Sequence, residues 1–465
     1  MNAWSRAARA MVAAGLLSIT LGVSAQTPEG AASAASAAAP ASAAAPATAG
    51  RADFPVRPVD DAWRAALPMN PEAATRAYLD RLGAEARARS DAYFEGGYWL
   101  LLWNLLLGLG IAALLLWTRP STAVRDWARR VARPRWLADA LYGGFYAVAS
   151  WVLSLPLSIY QGFVREHAYG LATQDFGAWF AEALIQLAVF TVVTMLAVSL
   201  LYAVLRRARE AWWLWGTLVA VGLMALGVLV APVWIDPLFN TYKPVEDGPV
   251  KRAVLAMAHA NGVPADNVYE FDASRQTTRV SANVSGLGST ASVRLNDNLL
   301  RRASVPEIRA VMGHEIGHYA MNHIPKSLVM FTLVFLAGFA FAAWAMKRLL
   351  ARHGPRWRVP VGPEGVADVG TLPLLGAVFS LFFFVATPVT NTITRTMEAE
   401  ADMWSLNLAR EPLGLSEAML KLAEYRKTEP GPLEEFVFFD HPSAHSRILM
   451  AMRWREQALP AGGAP

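Results

Sequence analysis

The sequence predicts a mainly α, polytopic helical membrane protein that carries a small α+β domain beside the bilayer, and three observations predict it. Only 17% of the 465 residues are charged and 54% are hydrophobic, with a mean hydropathy of +0.28, whereas ordinary soluble domains are roughly 25% charged. The apolar residues are gathered into six charge-free runs. One polar segment between the fourth and fifth runs mixes helical and strand periodicities and is long enough to fold as a small domain.

Charge and cysteine usage remove several classes. The net charge of +5 arises from 42 Lys+Arg against 37 Asp+Glu. Its excess lies in short blocks between apolar runs, which sets membrane topology and excludes a nucleic-acid partner. With no cysteine in the chain, disulfides, thiolate metal sites and cysteine nucleophiles are excluded, so any metal must be held by His, Asp or Glu.

Residues 1–25 carry Arg6 and Arg9, an apolar stretch from Met11 to Val23 and the small-residue end Ser24-Ala25-Gln26. That is the pattern of a secretory signal peptide, or else a first membrane helix. Residues 26–70 form an Ala/Ser/Pro-rich tether, almost free of charge from Thr27 to Gly50, too poor in large apolar side chains to build a core. Pro71 to Arg89 alternates apolar and charged positions at helical spacing and predicts one surface helix leading to the membrane.

The six runs are Gly97–Trp117, Ala140–Val164, Ala183–Leu205, Ala211–Ile235, Ser327–Met346 and Val369–Thr394. Each has at least about 20 residues, enough at 1.5 Å per residue to cross a ~30 Å hydrocarbon core. They divide the chain into an N-terminal membrane domain of four spans (71–235), a polar segment (236–326), two further spans (327–394) and a C-terminal segment (395–465). Arginines cluster after the first span (Arg119, Arg125, Arg129, Arg130, Arg133, Arg135), the third (Arg206, Arg207, Arg209) and the fifth (Lys347, Arg348, Arg352, Arg356, Arg358). Alternation puts these loops on one side, which the positive-inside rule makes cytoplasmic. The polar segment then faces the periplasm of a bacterial inner membrane.

Within that segment, Pro249–Asn261 has helical periodicity and Val268–Phe271 reads as a strand. Arg279–Ser285 and Ser292–Asn296 read as a hairpin across Gly286-Leu287-Gly288-Ser289. Ser304-Val305-Pro306-Glu307 opens a helix with a capping serine and a first-turn proline. That helix carries His314-Glu315-Ile316-Gly317-His318. Imidazoles four residues apart lie about 40° apart around a helix and one turn along it, so both can meet one zinc ion. Glu315, beside the first ligand, can take the proton of a water that attacks a peptide carbonyl. A catalytic zinc takes three protein ligands. A third histidine six residues past the second is excluded, because position 324 is Ile324 and His323 is one place off.

The candidate third ligand is Glu398 in Glu398-Ala399-Glu400-Ala401-Asp402, just past the last span. Asp402 shares its helix face, where a carboxylate can accept a hydrogen bond from the far nitrogen of a ligand histidine. Glu400 points away from that face and is expected to be solvated. His445, four residues after His441, is separated from it by Pro442, which delays the helix and disfavours a second metal site.

The motif helix with His323, the pair of spans that follows, Glu398-Ala399-Glu400-Ala401-Asp402 and a final His441-Pro442-Ser443 with Arg447 together resemble the type I CAAX prenyl endopeptidases, integral-membrane zinc metallopeptidases. Pro237-Leu238-Phe239-Asn240, Ser281-Ala282-Asn283 through Gly286, and Asn298-Leu299-Leu300 resemble landmarks of that family in the same order, and the likeness covers residues 75–455. The resemblance implies a zincin-like catalytic domain with one Zn2+ per chain, held by His314, His318 and Glu398. It makes Glu315 the catalytic base and Asp402 the partner of a ligand histidine. It also implies that His441 and Arg447 stand beside the zinc, where a donor can stabilise an oxyanion, and that Asn283 lies on an edge strand that pairs with an extended substrate. The partners it implies are a peptide or protein substrate, membrane-associated, and the lipid bilayer.

Two alternatives share the fold class: a catalytically silent transporter-like or scaffold protein, and a membrane quality-control protease. The complete set of ligands and base weighs against silence. An intramembrane protease that buries His-Glu-x-x-His inside a span is disfavoured by Glu307 and Arg309 on the same helix.

Overall fold

The computed structural model describes residues 56, 59–286 and 291–458. The signal or first-helix segment 1–25, most of the tether and the hairpin tip Leu287–Ser289 lie outside the described residues. Among the described residues, five helical stretches are long and apolar enough to cross a membrane: Ala84–Trp117, Arg135–Ala168, Phe176–Leu238, His323–His353 and Val369–Ala409. Four of them carry one expected span each, and the 63-residue third carries two. It breaks at Arg209, whose φ is 43°, into Phe176–Ala208 and Trp212–Val230. A methyl group on Gly216 would sit 3.4 Å from the Leu201 side chain, whereas 15 residues of straight helix would separate the two by about 22 Å. The stretch is therefore a helical hairpin, and among the described residues six helices are long and apolar enough to cross a membrane.

These six pack in a ring, each against the next in chain order and the last against the first. Gln161 Nε2 donates to Asn104 Oδ1 at 3.3 Å where the first helix meets the second. Tyr142, Tyr146, Leu201, Phe335, Phe339 and Phe379 fill the ring near the arginine loops, and there Arg125 donates to Asp368 at 3.0 Å. Trp99, Val192, Leu218, Leu333 and Val385 are exposed large apolar side chains on these helices, an apolar surface suited to hydrocarbon contact.

Two elements differ from the sequence reading. Pro71–Arg89 is not one helix: Pro71–Leu79 ends at Asp80, and Ala84 already begins the first long helix. The Arg81-Leu82-Gly83 break comes from tertiary packing, since buried Leu79 and Leu82 dock on the C-terminal helices. The helix of the last span does not stop at Thr394 either. Leu372–Ala409 is one helix of 38 residues, about 57 Å at 1.5 Å per residue, so it leaves the membrane and carries Glu398 and Asp402 into the polar domain.

The sheet has four strands, β1 (Tyr242–Pro244), β2 (Val268–Phe271), β3 (Ala282–Ser285) and β4 (Ser292–Asn296), in the order β1-β2-β4-β3. β3 and β4 form the expected antiparallel hairpin, with Asn283 opposite Arg294, and β2 runs parallel to β4. The sheet packs on the motif helix Val305–Ala320 through Val284, Val293, Leu295, Ile308, Met312 and Ile316. Ile308, Met312 and Ile316 recur every four residues, and two further positions along turns about 200° around the axis, so His314 and His318 occupy the opposite face.

A buried charge cluster fixes this domain to the membrane ring. Tyr93 donates to Glu166 Oε1 at 2.6 Å, and Arg279, just before β3, donates to Glu166 Oε2 and to the Tyr93 hydroxyl, each at 2.6 Å. Glu166→Ala removes the carboxylate that both groups contact in a site closed to water. Breaking such a buried pair costs about 3–5 kcal/mol, so the purified variant should unfold at a clearly lower temperature. An unchanged unfolding midpoint would show the cluster to be neutral.

Candidate metal centre

The motif helix begins with the capping box formed by Ser304 and Glu307. Glu307 is also paired with Lys421 at 2.6 Å, which places the motif in the polar domain and not within a span. Its histidine face meets the last long helix at very close range. A methyl group on Gly317 would lie 3.0 Å from Trp404 Cβ, and one on Gly313 would lie 3.2 Å from Ser405 Cα. Such distances are tighter than close packing allows. Glycine at both positions lets the helices touch, and Glu398 thereby reaches the histidines.

The donor atoms of His314, His318 and Glu398 lie within 4.8 Å of one another. His314 Nε2 is 3.1 Å from Glu398 Oε2, and His318 Nε2 is 3.6 Å from Glu398 Oε1. The two Nε2 atoms face each other at 3.1 Å. Tetrahedral zinc with bonds of about 2.0–2.1 Å sets neighbouring ligand nitrogens ~3.3 Å apart. His441 Nε2 comes within 3.1 Å of Glu398 Oε2 from the other side, yet neither Glu398 oxygen nor His441 Nε2 has geometry that counts as a hydrogen bond. Three buried polar atoms converging without such a bond are costly, and a shared cation removes that cost. The donor set fits a metal.

Each flanking partner sets a proton position. His314 Nδ1 is 2.8 Å from Asp402 Oδ1; because a carboxylate only accepts, the hydrogen of the neutral imidazole that binds a metal is on Nδ1, and its Nε2 keeps the lone pair. Arg447, itself buried, clamps Asp402 with Nε at 2.6 Å from Oδ2 and Nη2 on Oδ1. The sequence singled out Arg447 as a neighbour of the metal, and the structure places it one residue behind His314, bordering the same cavity as Glu315. His441 is fully buried, with Nδ1 2.9 Å from Asp440 Oδ1. Glu315 is 1% exposed, and burial pushes its carboxyl up to about 7. Burial also holds His318 well below the usual histidine range, in the neutral form that binds metals.

Asn283 lies on β3, the open edge of the sheet, yet all four β3 residues are buried. That edge therefore faces the protein interior. Ser285 donates to Asn283 Oδ1. Glu315 lines cavities on both sides of the site, one among Val280, Leu415 and Met419, the other continuing past His318 to Met224, Val228, Leu328 and Phe331 of the membrane ring.

One sequence expectation is overturned. Glu400 is not merely solvated: it contacts His323 Nε2 at 2.9 Å and Lys326 Nζ at 3.1 Å, because the helix that follows the motif folds back against it. His323 itself is buried against His318, Nδ1 to Nδ1, at 2.8 Å. Among the described residues, His314, His318 and Glu398 are the one group of this kind with metal-binding spacing.

The model of peptidase family M48 matches residues 244–455, and that of the CAAX prenyl protease N-terminal region, described as five membrane helices, matches residues 71–241. Residues 244–455 thus belong to peptidase family M48. Between residues 71 and 241 the chain has four membrane-crossing helices. It is 29% identical to the uncharacterized metalloprotease YhfN of Bacillus subtilis over 73% of this chain and 79% of that protein. It is 26% identical to CAAX prenyl protease 1 of Saccharomyces cerevisiae over 66% of this chain and 70% of the other. The crystal structure of S. mikatae Ste24p superposes with a TM-score of 0.62 at 20% identity, covering 85% of this chain and 91% of that one, which establishes the shared fold. The chain is thus a polytopic membrane metalloendopeptidase, as the motif resemblance implies, and its family requires a metal.

Proposed function

We propose that the metal is a single zinc ion held by His314, His318 and Glu398, and that the chain hydrolyses peptide bonds of membrane-associated polypeptides on the periplasmic face of a bacterial inner membrane. The observation that carries this reading is the pair of imidazole Nε2 atoms facing each other at 3.1 Å above a buried glutamate, with Glu315 beside them. Bound there, zinc supplies Lewis acidity that polarises a carbonyl and acidifies a water.

Glu315 accepts the proton of the attacking water and returns it to the leaving amine. Its carboxyl, pushed up to about 7 by burial, is matched to both transfers near neutral pH. Burial holds His441 well below the usual histidine range, so with Nδ1 donating to Asp440 it turns an Nε2 lone pair toward the site, and the positive charge nearest a developing oxyanion is the Arg447 guanidinium. Asp402 and Arg447 fix the His314 tautomer, and Arg447 adds positive charge beside the cavity. The free edge of β3, with Asn283, receives an extended substrate by strand addition. The cavity running from His318 to Phe331 and Met224 in the ring gives a substrate anchored in the bilayer a route to Glu315.

Chelation tests the function. Purified protein should stop cleaving a reporter peptide when treated with a chelator and recover on addition of zinc; equal turnover before and after would overturn the reading. Orientation is tested separately. A reporter fused after Pro465 should read the periplasm, because the sixth crossing returns the chain to that side, and a cytoplasmic signal would reverse the assignment without touching the chemistry.

A further inference from the structure

We infer that His323 and Glu400 are positioning residues that orient the ligand His318. The sequence reading excludes His323 as a third ligand, one place off the extended motif, and takes Glu400 to be solvated; their role follows from hydrogen-bond polarity. His323 Nε2 is 2.9 Å from Glu400 Oε2, and Lys326 Nζ lies 3.1 Å from the same oxygen. A carboxylate only accepts, so in the neutral imidazole the hydrogen of His323 sits on Nε2 and Nδ1 keeps a lone pair. Across the 2.8 Å contact between the two Nδ1 atoms, the hydrogen then belongs to His318. His318 Nε2 is left with a lone pair, and that atom faces His314 Nε2 at 3.1 Å. Glu400 thus sets the ligating tautomer of His318 through His323, as Asp402 does directly for His314.

Local backbone makes the contact. The motif helix ends at Ala320, and Asn322 takes the left-handed conformation, φ 55° and ψ 43°, before the next helix starts at His323. In an unbroken helix, positions five apart lie about 140° apart around the axis and their side chains do not meet. The reversal at Asn322 turns His323 under His318, with its rings 4.8 Å apart at 73°. It also brings His323 to the outer side of the last long helix, where Glu400 is half-exposed while Glu398, two residues before it, is buried.

This inference rests on His318 being a zinc ligand, and the test separates the two. Zinc affinity of the full-length protein in detergent is measured by competition with a chromophoric chelator, alongside the visible spectrum of the cobalt(II)-loaded protein. His323→Phe and Glu400→Ala should each weaken zinc binding by about 10- to 100-fold, the usual effect of removing a partner of a ligand histidine, and shift the cobalt bands. The double variant should be no weaker than His323→Phe alone, because Glu400 acts only through His323. Should His323→Phe fail to fold, Glu400→Ala, altered at the solvent end, carries the test. Wild-type affinity with an unshifted cobalt spectrum, or fully additive losses, would overturn the relay. Retention of zinc by His318→Ala would instead overturn the ligand assignment.

Discussion

Glu315→Gln is expected to lower peptide hydrolysis by about 10²- to 10⁴-fold, the usual contribution of a positioned general base, while the purified variant keeps its full zinc content and its fold. Glutamine matches glutamate in shape and still accepts a hydrogen bond, but it takes no proton from water. Glu315 is buried at 1% exposure, and burial pushes its carboxyl up to about 7, so the native site bears the cost of holding a carboxylate away from solvent. Removing that charge should leave stability equal or slightly higher. Zinc content measured beside turnover separates chemistry from folding: a metal-loaded variant that cleaves at the native rate would assign the proton transfer to another group.

Glu398→Ala is expected to act one step earlier, on the metal itself. Glu398 is completely buried and contacts His314, His318 and His441 within 3.1–3.6 Å. Zinc binding in structural sites is worth about 10–16 kcal/mol over four ligands. One ligand therefore carries roughly 3 kcal/mol, and its loss weakens binding by about 10²-fold or more. The variant should lose zinc on dialysis against a dilute chelator and lose activity with it, and excess zinc should restore only part of the turnover. Retention of one zinc per chain would transfer the third ligand position elsewhere, with His441 the nearest nitrogen.

Much of this centre was legible from local pattern because its parts share single elements. His314 and His318 are four residues apart on one helix, and Glu398 and Asp402 are four apart on another, so spacing alone put each pair on one face. The strand pair Ala282–Ser285 and Ser292–Asn296 was legible for a similar reason, since alternation flanks a glycine-rich turn. His323 and Glu400 were not. Reading along a helix assumes that the helix continues, and the left-handed Asn322 breaks it between His318 and His323. The Glu166–Arg279 pair joins residues 113 apart, beyond the reach of any periodicity, and the unbroken run of Leu372–Ala409 hides a membrane boundary that charge alone had drawn at Thr394.

The sequence by itself determined the membrane class, the metalloendopeptidase motif and the family, because each depends on residue type and short-range spacing. Tertiary structure decided how the six helices close into a ring, which edge of the sheet faces the site, and which side chains orient the two histidines. The physical reason is the range of the interactions. Apolar length and helical phase are written within one segment, whereas the approach of the last long helix to Gly313 and Gly317, and the fold-back at Asn322, exist only once separate segments pack.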